Sequence, residues 1–271
     1  MSALLEARGL VKDFRLDRGE VAHAVAGVDL SVDAGETLGI VGESGCGKST
    51  TARMLARLID PTAGTIHYRG EEITSLSRAR LVPLRREIQM IFQDPYSSLN
   101  PRQTVGSIIG EPFAIHELEP DRQRRRAAVQ ALMEQVGLNP EHYNRLPHEF
   151  SGGQRQRIGV ARAIALRPRV LIADEPVSAL DVSIQAQILN LLADVRAQTR
   201  VSYLFISHDL AVVRQVTEQA IVMHRGRIVE AGPTERVLDD PQDDYTRLLR
   251  ASVPGPGWRP TRRTIPSERT T

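Results

Sequence analysis

The chain has 271 residues, 25% charged and 41% hydrophobic, with 35 Lys and Arg against 33 Asp and Glu. That balance excludes a wholly disordered chain, and a formal charge of only +2 argues against a nucleic-acid partner. No apolar run approaches the roughly 18 residues that span a bilayer. Glu6, Arg8 and Lys12 stand where a secretion signal needs an apolar core, and the single cysteine, Cys46, excludes an internal disulfide or a four-cysteine metal site. The expectation is a cytosolic protein whose membrane, if it works at one, is supplied by other chains.

Alternating segments near Leu4–Phe14 and Val21–Val32 predict antiparallel strands, and the apolar run Thr37–Val41 stops at glycines as a buried strand does. A helical pattern follows over Ser49–Leu58, then a strand at Thr65–Tyr68, a helix around Ser75–Leu84 and a strand at Ile88–Phe92. From Asp94 to Leu166 the pattern holds helices and loops but no convincing strand, with Asp121 as the N-cap of a helix to Val136. Val170–Ala173 reads as a strand and Asp181–Gln198 as a helix. Ile184, Ile188, Leu191, Leu192 and Val195 share one face of that helix. Val201–Ile206 and Ala220–Met223 are further strands. Strand–helix alternation implies a mostly parallel sheet faced by helices. From Pro254 onward four prolines and four arginines read as a solvated tail.

Gly42-Glu43-Ser44-Gly45-Cys46-Gly47-Lys48-Ser49-Thr50 fits G-x-x-x-x-G-K-[ST] between a strand and a helix. Glycines let successive N–H groups converge on one anion, and the helix adds its positive end. Lys48 suits the β- and γ-phosphates as a point charge, and Ser49 suits Mg²⁺. Lys12 and Lys48 are the only lysines among the 35 cations. At Lys48 a compact ammonium has a reason to persist that a planar guanidinium does not meet.

Val170-Leu171-Ile172-Ala173-Asp174-Glu175 is a buried strand ending in two acids. Asp174 suits magnesium, which leaves Glu175 to polarise the attacking water. Ser151-Gly152-Gly153-Gln154 opens another helical pattern. It reads either as an ordinary serine N-cap or as a second phosphate cradle for a nucleotide held by another molecule.

Taken in order, these motifs resemble the ATPase subunit of an ATP-binding-cassette transporter: the phosphate loop Gly42–Thr50, Gln93, the Ser151–Gln154 signature, Asp174-Glu175, Ser178-Ala179-Leu180-Asp181 and His208. The resemblance covers about Leu4 to Pro254. It implies a P-loop NTPase core with an N-terminal antiparallel β subdomain and an inserted α-helical subdomain. The implied division is 1–93 and 167–240 for the core, 94–166 for the insert and 241–271 for a C-terminal helix and tail. It also implies two ATPase subunits facing head to tail, with ATP and Mg²⁺ between the phosphate loop of one and the signature of the other. Ser151, Gly152, Gly153 and Gln154 then contact the partner's nucleotide, Gln93 touches Mg²⁺ or water, and His208 holds the γ-phosphate and positions Glu175. Phe14 matches an adenine-stacking position and fits the core equally well. A related ATPase subunit, two transmembrane permease subunits and, indirectly, a solute-binding protein are the implied partners, at the cytoplasmic face of the membrane.

The stretch Ile91-Phe92-Gln93-Asp94-Pro95-Tyr96-Ser97-Ser98-Leu99-Asn100-Pro101-Arg102 is similar to oligopeptide, dipeptide and nickel importer ATPases. Pro241…Tyr245-Thr246-Arg247-Leu248-Leu249 resembles that group's C-terminal helix, with Asp243-Asp244 in place of the group's His-Pro. Arg122, Arg124, Arg125 and Arg126 read as a solvated helix face, His142 and His148 have poor metal spacing, and Trp258 reads as incidental. Cys46 is expected to be a reactive thiol with a lowered pKa, shielded by bound nucleotide, against the alternative of a small inert core side chain.

Overall fold

The computed structural model describes residues 3–16, 20–94 and 98–252. Pro95, Tyr96 and Ser97 of the importer-like stretch, the tail from Pro254 and Trp258 lie outside the described residues.

The chain opens with β1 (Leu5–Arg15) and β2 (Val21–Val32), paired antiparallel as the alternation predicts. Then come β3 (Thr37–Val41), α1 (Lys48–Leu55), β4 (Ala63–Tyr68), the short β5 (Glu71–Glu72), α2 (Arg78–Glu87) and β6 (Ile88–Ile91). Helices α3 (Val105–Ile115), α4 (Arg122–Gln135) and α5 (Gly152–Ile164) follow, with two short 3₁₀ helices, Pro140–Asn144 and Pro147–Glu149, between α4 and α5. The chain then runs through β7 (Val170–Asp174), α6 (Val182–Thr199), β8 (Ser202–Ile206), α7 (Leu210–Val216), β9 (Gln219–His224), β10 (Arg227–Pro233), α8 (Thr234–Asp239) and α9 (Asp244–Ala251).

Two sheets result. One is antiparallel, in the order β2-β1-β4-β5; the other runs β10-β9-β3-β8-β7-β6 and is parallel except for β10. Strand β3 therefore lies between β8 and β9, and every side chain it carries is buried. Residue alternation sorts the parallel sheet into two faces. Leu38, Ile40, Ile172, Leu204 and Ile206 join the core shared with the antiparallel sheet and α1. Val41, Leu171, Tyr203 and Phe205 join the core of α3 to α7.

Local signals explain most boundaries. Asp121 accepts from Arg124 N at 2.8 Å and caps its helix as expected. Asp181, expected as the first helical residue, instead caps its helix by accepting from Ile184 N at 3.0 Å. Helix α1 stops at Leu55, three residues before the expected end, because Arg57 takes positive φ and its Nε donates to Ile73 O at 3.1 Å. Helix α2 begins three residues later than expected. Ile73 is buried and Leu76 packs against the core beneath the first sheet, so neither side chain opens the helix. The β9–β10 hairpin is new to the sequence reading. Its two turn residues, Arg225 (φ 47°) and Gly226 (φ 78°), both take the left-handed conformation that a tight two-residue hairpin requires.

Candidate nucleotide site

Strand β3 delivers the chain to Gly42, whose φ of 151° suits glycine and whose added Cβ would lie 2.2 Å from Met223 O. At Gly47, the N-cap of α1, a Cβ would lie 2.4 Å from Ala24 O. Backbone atoms thus close off the rear of the loop, leaving a bare peptide surface toward the cleft, which is the shape a phosphate cradle needs. Lys48 is buried at 4% exposure, and its Nζ donates to Gly42 O at 2.7 Å and Glu43 O at 2.9 Å. Its ammonium is therefore tethered to the loop's own carbonyls.

The second half arrives on β7. Asp174 is 1% exposed, and its Oδ1 accepts from Ser49 Oγ at 2.7 Å. Burial raises its pKa, with neighbouring Glu175 adding to the rise; Ser49, Arg53 and Lys48 oppose it. A buried acid touching a serine at the start of α1 is an oxygen donor pair suited to a small hard cation. Glu175 follows with φ 45°, uncommon for a residue with a side chain, and its N–H donates to Ile206 O at 3.0 Å. Its Oε2 accepts from Gln93 Nε2 at 3.1 Å and lies 3.1 Å from His208 Nδ1. Gln93 stands just past β6 and His208 just past β8, so three adjacent strand ends converge on one carboxylate. Gly42, Glu43, Ser44, Gln93, Glu175, Ser178, Ala179, His208 and Leu249 line one cleft.

Ser151, Gly152, Gly153 and Gln154 lie at the start of α5, away from that cleft. Ser151 Oγ accepts from Gln154 N at 3.3 Å and Gln154 Oε1 accepts from Ser151 N at 3.0 Å, a reciprocal capping box. A Cβ on Gly153 would meet Ile184 Cγ2 at 2.5 Å, so close packing against α6 also calls for glycine here. Phe14 is 40% exposed on β1, with Lys12 Nζ 5.2 Å from its ring centroid.

The expectation for Cys46 is corrected. The residue is 6% exposed and belongs to the core beneath the antiparallel sheet. Burial raises the thiol's pKa and outweighs the opposing pull of Lys48, whose Nζ lies 3.8 Å away, and of the loop N–H groups. Its carbonyl is the part that matters locally, accepting from Gly226 N at 3.0 Å and tying the loop to the β9–β10 turn. No cluster of metal-binding side chains forms around His142 and His148 among the described residues. Two contributors escape the sequence reading: Leu249 of α9 in the cleft wall, and Tyr245, whose hydroxyl accepts from Glu43 N at 3.1 Å.

A strand–loop–helix phosphate cradle, a buried acid against its serine and a positioned second acid together define a P-loop nucleotide-binding protein. The family model described as ABC transporter matches residues 25–178. The di/tripeptide transport ATP-binding protein DppF of Pseudomonas aeruginosa (strain UCBPP-PA14) is 49% identical over 267 residues, covering 97% of this chain and 82% of that protein. The glutathione import ATP-binding protein GsiA of Escherichia coli (strain K12) is 53% identical over 257 residues. That match takes in 93% of this chain but only 41% of GsiA, so the chain spans less than half of that relative. Among solved structures, the ATP-binding cassette MJ0796 in a dimeric post-hydrolysis state with ADP and Pi superimposes with a TM-score of 0.77. It is 27% identical, over 85% of this chain and 98% of that one. The cbiO1 protein of Clostridium perfringens, part of the cbiONQ transporter complex, gives 0.75 at 25% identity over 89% of this chain and 92% of that one. The chain belongs to the ABC transporter family, as an ATP-binding subunit.

Proposed function

We propose that this chain is the Mg²⁺-dependent ATPase subunit of an importer of short peptides. The observation that carries the catalytic part is Glu175, held at 3.1 Å by both Gln93 and His208 beside the Asp174–Ser49 pair. The Gly42–Thr50 loop and Lys48 grip the phosphates, and Ser49, Asp174 and Gln93 hold the cation. The cation held there would supply positive charge to offset that on the phosphate oxygens. Glu175 takes a proton from the attacking water, and His208 and Gln93 fix the carboxylate's direction. Phe14 stacks on the adenine. Ser151, Gly152, Gly153 and Gln154 contact the nucleotide of a facing ATPase subunit, a related but distinct chain, so each site is completed by two molecules.

The proposed division of labour is 1–93 with 167–240 for nucleotide, 94–166 for transmitting motion to two permease subunits, and 241–271 as a C-terminal appendage. Among the described residues no helix is long and apolar enough to cross a membrane, which fits a peripheral subunit at the cytoplasmic face. A short-peptide cargo, delivered by a solute-binding protein, is supported by the likeness to DppF, and the likeness to GsiA favours glutathione as one such cargo. The test is reconstitution of the chain with its facing subunit and permeases in liposomes. ATP hydrolysis stimulated by peptide-loaded binding protein, and lost with Glu175→Gln, is expected; stimulation that persists with Glu175→Gln overturns the reading.

A further inference from the structure

We infer that Tyr245 is a positioning residue for the phosphate loop, acting through the Gly42–Glu43 peptide on the Lys48 ammonium. The inference rests on the nucleotide reading of the site.

The peptide unit joining Gly42 to Glu43 is held along both edges. Its carbonyl accepts from Lys48 Nζ at 2.7 Å, and its N–H donates to the Tyr245 hydroxyl at 3.1 Å. These contacts lie at opposite edges of one rigid plane. Fixing the N–H therefore fixes the direction of the carbonyl, and with it one of the two carbonyls that aim the ammonium. Gly42 has no side chain to add a further hold on that plane.

Tyr245 is itself tightly placed. Its ring stacks on His224 with centroids 3.9 Å apart and planes 10° from parallel. Asp243 caps the helix by accepting from Tyr245 N at 2.9 Å. The preceding turn is clamped to β10, where Glu230 accepts from Gln242 N at 2.9 Å and Asp243 N at 3.2 Å. One turn further along α9, Leu249 joins the cleft wall beside Gly42 and Glu43. The C-terminal helix thus holds the loop through Tyr245 and borders the same cleft through Leu249.

The experiment compares the full-length wild-type chain with Tyr245→Phe, which keeps the ring and removes only the acceptor. Calorimetry with MgATP is expected to show Kd raised about three- to tenfold, the loss that goes with one hydrogen bond. Amide exchange at Glu43 is expected to accelerate while Tm stays within a few degrees. A second variant, His224→Ala, keeps the hydroxyl but removes the stacking surface, and a smaller rise in Kd in the same direction is expected. Unchanged Kd and unchanged Glu43 exchange in Tyr245→Phe overturn the inference; if that variant is unstable, the same null result in His224→Ala does so. Wild-type protein that binds no MgATP overturns the nucleotide reading itself, and the inference falls with it.

Discussion

The two glycine-rich helix starts of this molecule, at α1 and α5, are built in opposite ways. At α1 the loop is walled by backbone, its lysine is buried, and three strand ends aim Gln93, Glu175 and His208 at one point. At α5 the serine is exposed and satisfied by its own capping box, and among the described residues no acid, lysine or histidine is hydrogen-bonded to Ser151 or Gln154. Buried, mutually hydrogen-bonded charge is concentrated at one helix start and missing from the other among the described residues. On the function proposed above, a surface that completes another molecule's site needs shape and N–H groups, whereas the site that performs chemistry needs buried, oriented charge.

The largest effect that would break this contrast is at Glu175. Glu175→Gln keeps the shape but not the base, so turnover is expected to fall roughly 10²- to 10⁴-fold with MgATP affinity retained. Steady-state hydrolysis beside calorimetry reads both.

Next comes Gly42→Ala, whose Cβ would meet the unyielding Met223 O at 2.2 Å. Strain of this kind costs about 1–3 kcal/mol, so MgATP binding by the isolated chain is expected to drop by roughly 5- to 150-fold, measured by calorimetry. Ser151→Ala sharpens the comparison from the other side. It removes a helix cap at a cost of about 1 kcal/mol, lowering Tm by a few degrees. MgATP binding by the isolated chain is expected to stay unchanged, while hydrolysis with the facing subunit falls.

The smallest effect concerns Cys46. Its raised pKa keeps the thiol protonated at neutral pH, so the thiolate fraction, and with it the maleimide rate, is lower than for a free cysteine. Labelling is expected to be slow, to rise only as pH climbs past the usual thiol range, and to respond little to MgATP. Rapid labelling at pH 7 would show a thiol facing the cleft.

Where a motif depends on local geometry, the residues announce it: the strand that ends at Gly42, the acids closing β7, and the caps Asp121 and Ser151 all follow from spacing and side-chain chemistry. What escapes depends on contacts distant in the chain. The direction of the Cys46 side chain is decided by the sheet that packs over it, and no periodicity encodes that. The β9–β10 hairpin turns on Arg225-Gly226 rather than the Asn-Gly or Asp-Gly pair that marks such turns. Tyr245 sits 202 residues from Glu43, so nothing near either residue signals their contact.

The placement of β3 between β8 and β9 also sets the order in which the molecule comes to exist. Residues Thr37–Val41 and the loop after them leave the ribosome early, yet their neighbours in the sheet, Ser202–Ile206 and Gln219–His224, are made more than 160 residues later. Until those strands arrive, β3 is an apolar segment with no parallel partner on either side, a species prone to aggregation. The antiparallel sheet, whose strands all lie within residues 5–72, needs no such wait. Nascent chains are thus expected to shelter β3 under the early sheet and to gain nucleotide affinity only near the end of synthesis.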